Sequence, residues 1–165
     1  MINKHVLVLG VGNILLSDEG VGVHIVHKLE NTGLPSEIEI VDGGTGGFEL
    51  IGFFKNKKKV FIIDCIETDA PAGSMILAMP DELALQWQPS VSVHQKGLQE
   101  LLAQAKVLYP LLEIFIIGIV PENKCKLSLN LSPTLESTLD DLVNKVSKIV
   151  FSKLRLSTGN TTVHQ

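Results

Sequence analysis

Short aliphatic runs recur along the chain: Val6-Leu7-Val8-Leu9, Ile38-Glu39-Ile40-Val41, Val60-Phe61-Ile62-Ile63, Met75-Ile76-Leu77-Ala78 and Ile114-Phe115-Ile116-Ile117. Each has the length of a strand, and three are continuously apolar, the pattern of strands buried on both faces. The segments between them have helical spacing. Ser17 or Asp18 is placed to cap a helix running to about residue 30, with Val21, Ile25, Val26 and Leu29 as its apolar stripe. A second helix is predicted over residues 47–57. A third starts at Ser92, which forms with Gln95 the S-x-x-Q spacing of a capping box, and continues through Leu98, Leu101 and Leu102. The fourth has Ser132 as its cap, Pro133 at the first helical position, and Leu135, Leu139, Leu142, Val143, Val146, Ile149 and Val150 at threes and fours. Strands alternating with helices predict an α/β sandwich of three layers, a sheet covered on both faces, with ligands beyond the carboxyl ends of the strands.

Composition narrows the class. A chain of 165 residues is one domain's worth, and 45% hydrophobic against 19% charged residues suits a buried core rather than disorder. The domain is expected over residues 1–156, followed by a flexible tail at 157–165, where Ser, Thr, Gly and Asn dominate. Fourteen basic against eighteen acidic residues give a net charge of −4, and Lys55, Lys57, Lys58 and Lys59 make the one basic cluster, so no nucleic-acid partner is expected. Cys65 and Cys125 lack any CxxC or CxxH spacing, which fits a reducing cytoplasm and argues against a disulfide framework or a cysteine-based zinc site. The apolar run after Lys4 is broken by Gly10, Gly12 and Asn13 and has no small-residue cleavage site, unlike a secretory signal. No segment reaches about 18 apolar residues, the longest being 114–120, so no membrane insertion is expected.

The strand ends carry the candidate chemistry. The first ends in Gly10-Val11-Gly12-Asn13, the second in Asp42-Gly43-Gly44-Thr45 and the third in Asp64, with Asp18 and Glu19 close behind the first. Gly10-x-Gly12 invites a dinucleotide reading, but the third glycine of that fingerprint would fall at Leu15, and Asp18 and Glu19 would repel a pyrophosphate. A tight strand-to-helix turn explains both glycines without a nucleotide. Asp64 fits either a sheet-edge acid or a cap on the next loop's amides. Glu19 fits either a ligand or a first-turn residue complementing the helix dipole. His94, in the first turn of the third helix, is kept neutral by that dipole, and neutral imidazole is the form that binds metal; a surface histidine is the plainer alternative. His24 and His27, at i and i+3 with Glu30 beyond, form a competing metal pair or simply a solvated helix face. Trp87, ahead of Pro89, is read as packed or as an exposed aromatic in the loop before His94.

Taken together, the motifs resemble the hydrogenase maturation proteases. The resemblance rests on Gly10-Val11-Gly12-Asn13-Ile14-Leu15-Leu16-Ser17-Asp18-Glu19-Gly20-Val21-Gly22, the Asp42-Gly43-Gly44-Thr45 turn, Asp64 closing an aliphatic strand, and His94-Gln95-x-Gly97-Leu98. Pro121-Glu122 and Leu131-Ser132-Pro133-Thr134 follow in the family's order. It implies a twisted five-stranded, mostly parallel (mixed) sheet between helices, with room for one antiparallel strand. It also implies an endopeptidase that removes the carboxyl-terminal extension of a nickel–iron hydrogenase large-subunit precursor after nickel insertion.

The same resemblance assigns metal contacts to Glu19, Asp64 and His94 and a functional role to Asp42, giving Glu19, Asp42, Asp64 and His94 as candidate catalytic residues. Glu19 stands where some members carry aspartate. Two oxygens and one imidazole leave positions open for water or substrate thiolates, so nickel is expected to arrive with the substrate, with no tightly bound intrinsic cofactor. Nickel then serves as Lewis acid, or it only positions the chain while a carboxylate acts as base. No Ser/His/Asp or Cys/His arrangement supplies a nucleophile, and strand geometry turns Cys65 to the side opposite Asp64. A non-catalytic nickel-binding maturation chaperone and a nucleotide-dependent α/β enzyme are the rival readings.

Overall fold

The computed structural model describes residues 2–84, 93–123 and 126–155. Ser92, Trp87, Cys125 and the 157–165 tail, on which sequence expectations rest, lie outside them. Five strands, β1 (Val6–Val11), β2 (Ile38–Gly44), β3 (Lys59–Cys65), β4 (Met75–Ala78) and β5 (Glu113–Ile119), form one sheet in the order β2-β1-β3-β5-β4. All neighbours are parallel except β4, which runs antiparallel to β5 at the edge. The mixed sheet implied by the resemblance is therefore present.

The helices are α1 (Val21–Leu29), α2 (Pro80–Ala84), α3 (Val93–Leu108) and α4 (Pro133–Arg155). Alternation along each strand divides the core. Val6, Val8, Phe61, Ile63, Phe115 and Ile117 face α1 and α4, whereas Leu7, Leu9, Val60, Ile62, Ile114 and Ile116 face α3 and the segment Gly47–Phe54. Every residue of β1 and β3 is buried, which accounts for their unbroken apolar runs.

Two local expectations are corrected. The segment 47–57 is a 3-10 helix over Gly47–Phe54 rather than an α-helix. The first helix is also not capped by Ser17 or Asp18: a 3-10 turn over Ser17–Gly20 precedes it, and α1 starts from Gly20 without a side-chain cap. Ser17 has φ of 50° and Asp18 bonds elsewhere, to loop amides far along the chain. The start of α4 follows expectation, with Leu135 N–H donating to Ser132 Oγ at 3.4 Å and Pro133 opening the helix.

Candidate active site at the carboxyl edge of the sheet

The parallel strands β1, β2, β3 and β5 end at one edge, where the first turn of α1 comes down on bare backbone. A Cβ at Gly12 would collide with the carbonyl oxygen of Glu19, and one at Gly22 with the carbonyl oxygens of Ile63 and Val11. Gly12 also has φ of 140°, and its amide donates to Gly44 O at 2.8 Å. The two glycines therefore serve a tight strand-to-helix junction, and the Gly12 amide is already engaged within the fold. The junction sets the Ser17–Gly20 turn against β3, with Glu19 half-buried on it.

Asp64 is the penultimate residue of β3 and only 1% exposed. Its Oδ1 accepts the Cys65 amide at 2.7 Å. By strand parity it shares the face of Ile62, the α3 side, whereas Cys65 belongs to the core on the α1 side. His94 lies in the first turn of α3. One turn later Gly97 abuts Gly47, an approach a larger residue at either position would disturb, and this anchors the start of α3 beside the turn that follows β2. Among the described residues no three His, Cys, Asp or Glu side chains stand together as a metal-holding group, and the side chain of His94 lies outside that description.

Asp42 sits differently. It pairs in register with Gly10, as Ile63 does, so it projects to the α1 face, opposite to Asp64. There Oδ2 meets His27 Nε2 at 2.7 Å, and Oδ1 accepts the Gly44 amide at 3.0 Å, which closes the Asp42-Gly43-Gly44 turn on itself. His27 is thus committed to Asp42. His24 is half-buried on the same helix, and its Nε2 is enclosed without a hydrogen-bond partner. Burial pushes its pKa below the usual 6.5, with the Glu136 carboxylate acting in the opposite direction and His27 adding to the decrease.

Asp18 is the residue whose role the sequence did not reveal. Its carboxylate is fully buried and accepts three backbone amides, Ser132 on Oδ1 at 2.7 Å and Glu122 and Asn123 on Oδ2 at 2.9 and 2.8 Å. Ser17 N–H donates to Ser128 O and Ser128 N–H to Leu15 O, so the Glu19 turn and the segment around residue 128 are laced together. An acid beside Glu19 was the available signal, but its partners lie more than 100 residues away. Around this seam Ile14, Leu15, Leu127 and Leu129 stand exposed, Leu127 at 79%.

The chain matches known proteins over most of its length. The profile of the hydrogenase maturation protease family matches residues 23–149. The chain is 37% identical over 146 residues to the hydrogenase 2 maturation protease of Escherichia coli K12, covering 86% of this chain and 87% of the relative. The structure of the hydrogenase maturating endopeptidase HybD from Escherichia coli superposes with a TM-score of 0.78 at 35% identity, covering 92% of this chain and 93% of that one. The [NiFe] hydrogenase maturation protease HybD from Thermococcus kodakarensis gives a TM-score of 0.72 at 26% identity, covering 87% and 97% of the two chains. By sequence and by fold alike, the chain belongs to the hydrogenase maturation protease family, and it is a peptide-bond hydrolase.

Proposed function

We propose that this peptidase removes the carboxyl-terminal extension of a nickel–iron hydrogenase large-subunit precursor once nickel is in place, and that Glu19, Asp64 and His94 contact that substrate-borne nickel. The observation that supports this most directly is the meeting, at one sheet edge, of the Glu19 turn with the buried end of β3 that carries Asp64. The first turn of α3, which carries His94, is anchored nearby by the Gly47–Gly97 contact. Two carboxylates and an imidazole are hard and borderline donors, weak holders of nickel by themselves, whereas a hydrogenase subunit brings cysteine thiolates. The protease then needs no resident cofactor and reads the metal as a mark of completion.

The chemistry divides between substrate and protein. Nickel held by the precursor polarises the scissile carbonyl or a water, or fixes the chain while a carboxylate takes the proton from the attacking water. Glu19 is half-buried on its turn, and Asp64 is held at the end of β3 by the Cys65 amide. Asp42, on the opposite face, acts through the turn it closes, where Gly44 leaves open space for a substrate backbone to approach, whereas Gly43 packs against Leu9 and Leu50. The apolar rim of Ile14, Leu15, Leu127 and Leu129 borders the Glu19 turn, and we assign it to the body of the precursor. We place the site of action in the cytoplasm, the reducing compartment that fits Cys65 and Cys125 without disulfide spacing. No helix among the described residues is long and apolar enough to cross a membrane.

The test is to incubate the protein with nickel-loaded and nickel-free precursor and to weigh the products by mass spectrometry. Only the nickel-loaded precursor should be shortened, and prior treatment of the protease with chelator should leave that activity intact. Efficient cleavage of the nickel-free precursor overturns the metal-reading mechanism and leaves the peptidase standing. Binding of the precursor without shortening would favour a chaperone instead.

A further inference from the structure

A buried carboxylate with both oxygens committed to backbone amides is costly to desolvate and serves geometry rather than proton transfer. Asp18 is such a group. It is 0% exposed, lies next to Glu19 in sequence, and ties the Ser17–Gly20 turn to amides on both sides of the 121–132 segment. The tie is reciprocal, because the Asp18 amide donates to Asn123 O at 3.1 Å. On its other side the turn is stopped by the backbone of Gly12, against which the Glu19 carbonyl packs. Residue 19 is thus clamped between the tip of β1 and a loop from the far end of the chain. The geometry points to Asp18 as a positioning residue that fixes the reach of the Glu19 carboxylate toward the strand edge, a role that rests on Glu19 serving the reaction as proposed above.

The alternative is that Asp18 merely stabilises the fold. The two roles separate in kinetics, since misplacing a catalytic group by about 1 Å costs on the order of 100-fold in rate without loosening remote binding. Asparagine cannot substitute, because its amide nitrogen would confront the amide donors that now meet Oδ1 or Oδ2.

Asp18→Asn, Glu19→Gln and the double variant would be assayed for cleavage of nickel-loaded precursor, beside Val146→Ala. That last change removes core volume on α4 far from the site and serves as a control for lost stability. Asp18→Asn is expected to lower kcat by about 10- to 100-fold with KM within about twofold, to exceed any loss in Val146→Ala at equal Tm, and to cost nothing further on Glu19→Gln. A folded Asp18→Asn that cleaves at the wild-type rate overturns the proposal, as does a loss that multiplies with that of Glu19→Gln. If Glu19→Gln itself cleaves normally, the reading of Glu19 falls and this one with it; if Glu19→Gln is impaired while Asp18→Asn is not, only the positioning role falls. Should Asp18→Asn fail to fold, Asn123→Pro removes a single amide from the clamp and leaves Asp18 in place. It should lower kcat several-fold, and an unchanged kcat there overturns the proposal.

Discussion

Helices α1 and α4 both start at the carboxyl edge of the sheet, and their first turns are built on different terms. At α4, Ser132 caps, Pro133 fills the first helical position, and buried leucines and valines follow at helical spacing. At α1 no side chain caps; Ser17 holds a positive φ, and the acid a capping argument would use is turned away to grip a distant loop. The difference teaches what each start is for. Regular capping satisfies a helix's own amides, about 1 kcal/mol at a time. The start of α1 forgoes that gain, and its acid instead satisfies the amides of another segment, which fixes the neighbouring Glu19 against the end of β3.

The widest separation between the two starts should appear in activity. Glu19→Gln and Asp64→Asn, which keep shape and remove charge, should each reduce precursor cleavage by about 100-fold or more while the melting temperature moves by only a few degrees. Near-normal turnover in either folded variant would mean that the α1 junction is structural, as the α4 start is. Next in size is the apolar rim: Leu127→Asp or Leu129→Asp should raise KM for the precursor about tenfold and leave kcat and Tm near their starting values. A change in kcat without one in KM would show that the rim does not face the client.

Ser132→Ala should do the reverse of the site variants, with stability down by about 0.5 to 1 kcal/mol in urea melts and cleavage preserved, because the backbone amide that Asp18 holds remains. The smallest effect links the two helices. His24 on α1 has its pKa lowered chiefly by burial and raised in part by Glu136 on α4. As the pH falls through about 6.5, the unfolded chain therefore takes up a proton that the folded chain resists, and stability declines. Thermal scans between about pH 7.5 and 5.5 should show a shallower decline in His24→Leu and a steeper one in Glu136→Gln. The opposite order would mean that His24 is not buried as described.

Much of this was legible from the sequence because it is local. Short aliphatic runs marked the strands and spacing at threes and fours marked α4, and Ser132-Pro133 announced its own cap. The errors share a physical cause. Asp18 looks like a cap when only its neighbours are in view, and its true partners sit at residues 122, 123 and 132. For His27 the sequence left a metal pair with His24 and a solvated helix face both open, and its partner proves to be Asp42 on a strand 15 residues away. That Asp42 and Asp64 project to opposite faces follows from strand register, and a single strand's pattern does not contain its register with the next. Room for one antiparallel strand came only from the resemblance, and which strand it is, β4, came from the structure, since an edge strand of four residues has no direction in its composition.

The glycine junction between β1, β3 and α1 sets the terms on which this protease can be re-targeted. Gly12 and Gly22 meet carbonyl oxygens, not side chains, so no compensating change elsewhere can make room for a larger residue at either. Ile14, Leu15, Leu127 and Leu129, by contrast, are solvent-facing. With the rim assigned to the precursor as proposed above, a library aimed at a different client would hold positions 12 and 22 constant and vary these four, leaving the glycine junction untouched.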